Sequence, residues 1–162
     1  MASTISAATM TVEITEKIVL NGRDQGATNK LSISSIKDVS KRIVTVPASG
    51  DTTVLRFRTA TSTADNALDL QNVKYFRITN LDDTNSVNLS LQIDTGEDDS
   101  GADGQATILL EAGRSFIMGA PDDGIIVHDS SSSIETTLND LESIIIDSGT
   151  EIGTVEVFTA SS

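Results

Sequence analysis

The chain has 162 residues, 38% hydrophobic and 3% aromatic, with no cysteine, no tryptophan and a formal net charge of −13. That length suits one domain, 1–162, and the missing cysteines exclude disulfides and thiolate metal sites. The acidic surplus repels nucleic-acid phosphate, and no apolar run approaches the ~20 residues that cross a membrane.

The first residues, MASTISAATM, carry neither the basic nor the apolar region of a secretory signal. They predict a chain made and folded in the cytosol, with residues 1–9 as an N-terminal arm. Strand signals begin in MTVEITEKIVLNG, where Met10, Val12, Ile14, Ile18 and Leu20 alternate with Thr11, Glu13, Thr15 and Lys17, the period of a half-buried strand. Asn21-Gly22 and Gly26 then mark a loop. NKLSISSI and KRIVTVP follow as strands, the latter closed by Pro47 and Gly50. TTVLRFRT sets Leu55 and Phe57 on one side and Val54, Arg56 and Arg58 on the other.

Residues 60–71 lack periodicity and read as a connection with room for one helical turn. VKYFRITN, the turn LDDTNS and VNLSLQID come next, the last with Val87, Leu89, Leu91 and Ile93 strictly alternating. The acidic stretch DTGEDDSGADG (94–104) leads into ATILLE, a turn at EAG, and SFIMG. PDDG (121–124) reads as a tight turn, GIIVHD as a strand and HDSSSSIETT as a polar loop. LNDLESIIID, whose start has a helical look, and TVEVFTA complete the series. Ser and Thr number 20 each, and Thr with the β-branched aliphatics favours strands. The expectation is an all-β protein with little helix: an antiparallel β-sandwich of jelly-roll character, with closure into a barrel left open.

The residues that carry chemistry are sparse. His128 is the only histidine, beside Asp129 and the serines 130–133. Neighbouring residues on a strand point to opposite faces, so His128 and Asp129 do not form an orienting pair, and no G-x-S-x-G elbow is present. The pairs Asp82-Asp83, Asp98-Asp99 and Asp122-Asp123 all fall in turns, where Asp bonds its local backbone. A glycosidase or lectin would need sugar-stacking aromatics, which one Tyr and no Trp hardly supply. DTGEDDSGADG fails the EF-hand pattern, with Gly101 at the third position and Leu110 at the twelfth. A looser calcium site there stays open, and the stretch otherwise reads as a wet β-hairpin loop facing away from any partner. No catalytic residue, cofactor site or metal site is assigned.

The charge is uneven: residues 1–80 hold 10 basic and 7 acidic side chains, residues 81–162 hold 1 and 17. One reading is solubility; a sharper one sets a near-neutral docking part against an acidic, water-facing part. Val44, Arg56 and Arg58, assigned to the outer faces of early strands, are the candidate interface residues.

KYFRITNLDDTNSVNLSLQI, TILLEAGRSFIM, the closing TVEVFTASS and the earlier EKIVLNGRDQGATNKLSISSIKDVSKRIVTVP carry a resemblance. Together they resemble small structural proteins of tailed bacteriophage virions, those of marine phages in particular. The resemblance implies an all-β, cofactor-free subunit that works by assembly, a homo-oligomer made in the host cytoplasm and located in the virion. It implies as partners other virion proteins, either the major capsid protein or neck and tail proteins. A capsid-surface decoration or cement protein is the first expectation. A neck or tail component (ring, collar or fibre attachment) is the second, and a glycan-binding host-attachment module the third.

Overall fold

The computed structural model describes residues 5–58, 67–94, 104–119, 126–127 and 139–162. Among these the regular elements are all strands. The first four are β1 (Ala8–Thr15), β2 (Val19–Leu20), β3 (Arg23–Asp24) and β4 (Thr28–Ile36). Next come β5 (Asp38–Val46), β6 (Asp51–Arg58), the short β7 (Leu68–Asp69), β8 (Val73–Asn80) and β9 (Val87–Asp94). The series ends with β10 (Gly104–Leu110), β11 (Ser115–Gly119), the short β12 (Ile126–Val127), β13 (Asn139–Asp147) and β14 (Gly153–Ser161).

Eight of these build two facing sheets. One runs β10-β9-β13-β6, extended by β7 beside β6 and by β12 beside β13; the other runs β11-β8-β14-β5. Taken in chain order, the first of the eight pairs with the last (β5–β14) and the second with the seventh (β6–β13). The third pairs with the sixth (β8–β11) and the fourth with the fifth (β9–β10). All four pairings are antiparallel. A chain doubled back on itself and wrapped round one core is a jelly roll. The expected sandwich is therefore present, and neither sheet closes into a barrel.

The core lies between the inner faces. Val87, Leu89 and Leu91 of β9 meet Ile144 and Ile146 of β13 and Phe57 of β6, opposite Phe76 and Ile78 of β8 and Val155 and Val157 of β14. An aromatic chain crosses the gap: Phe57 stands 6.1 Å from Phe76, which stands 6.0 Å from Phe116. Each such ring is a large apolar unit, and tilted pairs add about 0.5–1.5 kcal/mol beyond area burial. Asn80, fully buried at the end of β8, ties one rim together. Its Nδ2 donates to the carbonyls of Asn85 (2.8 Å) and Leu110 (3.1 Å), and its Oδ1 accepts from the Asp82 amide (3.0 Å).

β1 and β4 form a separate antiparallel ribbon. Its root packs on the outside of the β11-β8-β14-β5 sheet, where Ile33 and Ile36 bury against Tyr75 and Ala160, flanked by Leu31 and Phe158. Ser35 adopts a positive φ of 63° at the point where the pairing slips between Ala8↔Ile36 and Met10↔Ile33. β1 begins at Ala8, within the stretch 1–9 expected as an arm.

Several expectations need correction. MTVEITEKIVLNG is not one half-buried strand: β1 stops at Thr15, and Val19–Leu20 pairs with Arg23–Asp24 across Asn21-Gly22. Both turn residues have positive φ (51° and 74°), the type I′ geometry that an Asn-Gly pair favours. The chain is pinched at its base, where a Cβ on Gly26 would sit 2.1 Å from the Glu16 carbonyl oxygen. LNDLESIIID has no helical start among the described residues, since Asn139–Asp147 is a strand throughout. A bulge between Leu141 and Ser143 lets Leu141 and Ile144, three apart, both face the core, which imitates helical spacing. A second bulge, on β6, sets the consecutive Ile144 and Ile145 of β13 against Leu55 and Thr53 and leaves Val54 between them. Val54, expected on the arginine side of β6, is thereby turned into the core.

Candidate interaction surfaces

The strand alternation decides what each sheet shows to solvent. On β5 the inner positions are Val44 and Val46, so Val44 packs against the core and is not an outer-face interface residue. The outward-facing residue is its neighbour Ile43, which lies opposite Glu156 and is 64% exposed. Arg56 and Arg58 are both exposed on β6, as expected.

Three elements of the surface stand out. The first is the ribbon tip. Ile18, Val19 and Leu20 are 55%, 71% and 59% exposed, and Ile14 next to them is also exposed. The tip is held by its own backbone: the Glu16 amide donates to Ala27 (2.8 Å) and the Gln25 amide to Ile18 (2.9 Å). Asp24 accepts the Gly26 amide at 2.9 Å. Sequence reasoning placed Ile18 and Leu20 on a buried face. The signal against that was three consecutive apolar residues immediately before Asn-Gly, which breaks a period of two.

The second is the outer face of the β11-β8-β14-β5 sheet beyond the ribbon. Glu156 receives Lys41 Nζ at 2.9 Å on one carboxylate oxygen and Arg77 on the other. The Lys41 hydrogen bond foremost, against partial desolvation, holds the Glu156 carboxyl below its ordinary range. The Arg77 guanidinium also lies over the Phe158 ring, 5.8 Å from its centroid. Burial raises the Tyr75 phenol, opposed by the charge of Arg77. Exposed Ile43 and Ile117 flank this cluster.

The third is the opposite outer face, which is polar: Asn88, Ser90, Gln92, Gln105 and Thr107 line an open groove of about 310 Å³. At its end Asp51 and Asp147 are direct cross-strand partners. Among the described residues no three His, Cys, Asp or Glu side chains stand together to hold a metal.

Of the paired carboxylates, Asp82-Asp83 lies within the described chain. Asp82 accepts the amides of Thr84 and Asn85, both at 2.9 Å. Those backbone bonds, Asn85 first, lower its pKa to about 2. This is turn chemistry, as expected. His128, Asp129, Asp98-Asp99 and Asp122-Asp123 lie outside the described residues, as does 95–103 of the acidic stretch. Its flanks bear out the hairpin, since β9 and β10 pair from Ile93↔Gly104 to Val87↔Leu110.

The two halves of the charge distribution do not map onto two faces. Doubling the chain back sets first-half strands beside second-half ones, β5 beside β14 and β6 beside β13. The near-neutral part that stays apart is the ribbon segment: residues 5–37 hold four basic and three acidic side chains of a chain at −13.

No family model matches the chain, and no curated protein or solved structure matches it. Among the described residues no helix is long and apolar enough to cross a membrane.

Proposed function

We propose that this protein is a non-enzymatic structural subunit of a tailed-phage virion, a decoration or cement protein that binds the capsid surface and stabilises it. The observation that carries the reading is the projecting ribbon, near-neutral and tipped by exposed Ile18, Val19 and Leu20 on an otherwise acidic protein. Burying an apolar side chain of this size is worth about 1.5–3 kcal/mol, so the tip gains most from seating in an apolar crevice of a neighbour. The sandwich body, whose net charge is strongly negative, stays in water and resists non-specific association. Repeated over a shell, such tips would bridge adjacent capsid subunits, each contributing modestly and many together firmly. The sequence resemblance to virion structural proteins supports the same assignment, and Arg56 and Arg58 remain the interface candidates on the body.

The test is copy number in purified particles by quantitative mass spectrometry. The capsid-wide role requires copies on the scale of the major capsid protein. Six or twelve copies would move the protein to the neck or tail. Absence from particles would remove the virion reading altogether.

A further inference from the structure

The open flank of the sandwich, between β5 and β6, has features that the ribbon does not explain. Among the described residues β5 pairs only with β14, through nine residues without a bulge from Val46↔Gly153 to Asp38↔Ser161. Its other backbone edge is therefore unpaired within the described chain. Beneath that edge the sheets part. Ser40 and Arg42 lie on the inner side of β5, where Val46 is buried, yet both are exposed. The opening is a cleft of about 360 Å³ rimmed by Asp38, Arg42 and Arg56 and floored by Leu55, Leu68 and Val157. Arg42 reaches across it to donate to the Val54 carbonyl of β6. β5 and β6 together carry four of the chain's eleven basic side chains, Lys41, Arg42, Arg56 and Arg58, against two acidic ones, Asp38 and Asp51.

We propose that this flank captures an extended acidic segment of a partner protein, which adds to β5 as a fifth strand of its sheet. Three features select that occupant. The unpaired edge offers backbone donors and acceptors to an extended chain, the requirement for strand addition. The strand period then fixes the side chains of the guest: alternate residues face the cleft and meet Arg42 and Arg56, which favours carboxylates. The residues between them lie on the outer face beside exposed Val39 and Ile43, which favours apolar groups. A second copy is the poorer guest. Antiparallel pairing of β5 with itself about Arg42 would set Arg42 directly opposite Arg42 of the other chain, like charges on neighbouring strands. Capture at this flank would be a property of the isolated protein in solution, whatever its place in a virion.

The test is fluorescence anisotropy with a labelled ten-residue peptide of alternating Glu and Val. Saturable binding that weakens with added salt is expected, with none for a Lys–Val counterpart. A version N-methylated at consecutive central residues, lacking donors on both edges, should not bind. Arg56→Gln should weaken binding about fivefold, the scale of a solvent-accessible ion pair. Arg42→Gln should weaken it further, and because Arg42 also bonds β6, its melting curve is compared first. Arg56→Gln carries the test if that variant unfolds. Absence of saturable binding, equal binding of the methylated peptide or indifference to Arg56→Gln would each overturn the proposal. So would sedimentation showing β5 occupied by a second copy of the chain.

Discussion

The sandwich body and the β1–β4 ribbon are made of the same residue types yet are held in different ways. In the body, Val, Ile and Leu alternate against a second sheet, and both inner faces share one core. In the ribbon, alternation continues through Met10, Val12 and Ile14: Met10 and Val12 are half-buried against the root cluster, while Ile14 beyond them is exposed. The difference teaches that a period of two specifies a strand and leaves open whether anything covers its apolar side. A two-stranded ribbon alone is marginal in water, so its outer half depends on what it meets.

That contrast can be broken or sharpened by experiment, starting with the largest effect. Phe76→Ala, at the centre of the aromatic chain, should cost about 3–5 kcal/mol, read as a lower urea midpoint of one cooperative transition. Ile33→Ala, at the ribbon root, should cost about 2–4 kcal/mol locally, read as faster amide exchange confined to β1 and β4. If the body's urea midpoint falls with it, body and ribbon are a single unit and the contrast fails. Asn80→Ala, which strands the carbonyls of Asn85 and Leu110, should cost about 1–3 kcal/mol in the same denaturation assay. Replacing Ile18, Val19 and Leu20 together by Ser should leave the unfolding free energy within about 0.5 kcal/mol while abolishing attachment to shells in a co-sedimentation assay. Loss of stability without loss of attachment would reverse the roles assigned to the two regions.

The smallest effect is one of pH. Asp82 titrates near 2 in the folded chain against an ordinary 3.8, so its contribution is present above about pH 4 and is lost as pH falls toward 2. The melting-temperature gap between the wild type and Asp82→Ala should therefore be constant above pH 4 and close below it. A gap that persists unchanged at pH 2 would show that Asp82 acts other than through its charge.

Much of the body was legible in the sequence. Strict alternation in Val87–Asp94, with turn residues between the strands, is enough to name an all-β sandwich. What escaped has physical reasons. Bulges put Val54 and Leu55 of β6 on the same side and set Leu141 three residues from Ile144, and each offends the period while serving the core. On β5 both Val44 with Val46 and Ile43 with Thr45 are plausible inner sets by composition. The choice is made by the pairing with β14, a partner more than a hundred residues away in the chain. The same kind of distance explains why the Glu156–Lys41–Arg77 cluster left no local signature. The ribbon tip did leave one, in the run Ile18-Val19-Leu20 before Asn-Gly, and its exposure is where the patterning ceased to inform.

The doubled-back pairing of the eight strands also sets an order of events in folding. Only β9 and β10, its innermost pair, are close along the chain; each further pair closes a longer loop, out to β5 with β14. Loop-closure entropy then favours assembly that starts at the β9–β10 hairpin and zips outward. β14, the last strand in chain order, lies between β8 and β5. During synthesis the sheet that contains it stays split until β14 leaves the ribosome, with β5 and β8 waiting as unpaired edges. Folding of this protein should accordingly be slow, late and sensitive to chaperones, and a chain stopped before β14 should aggregate rather than fold partway.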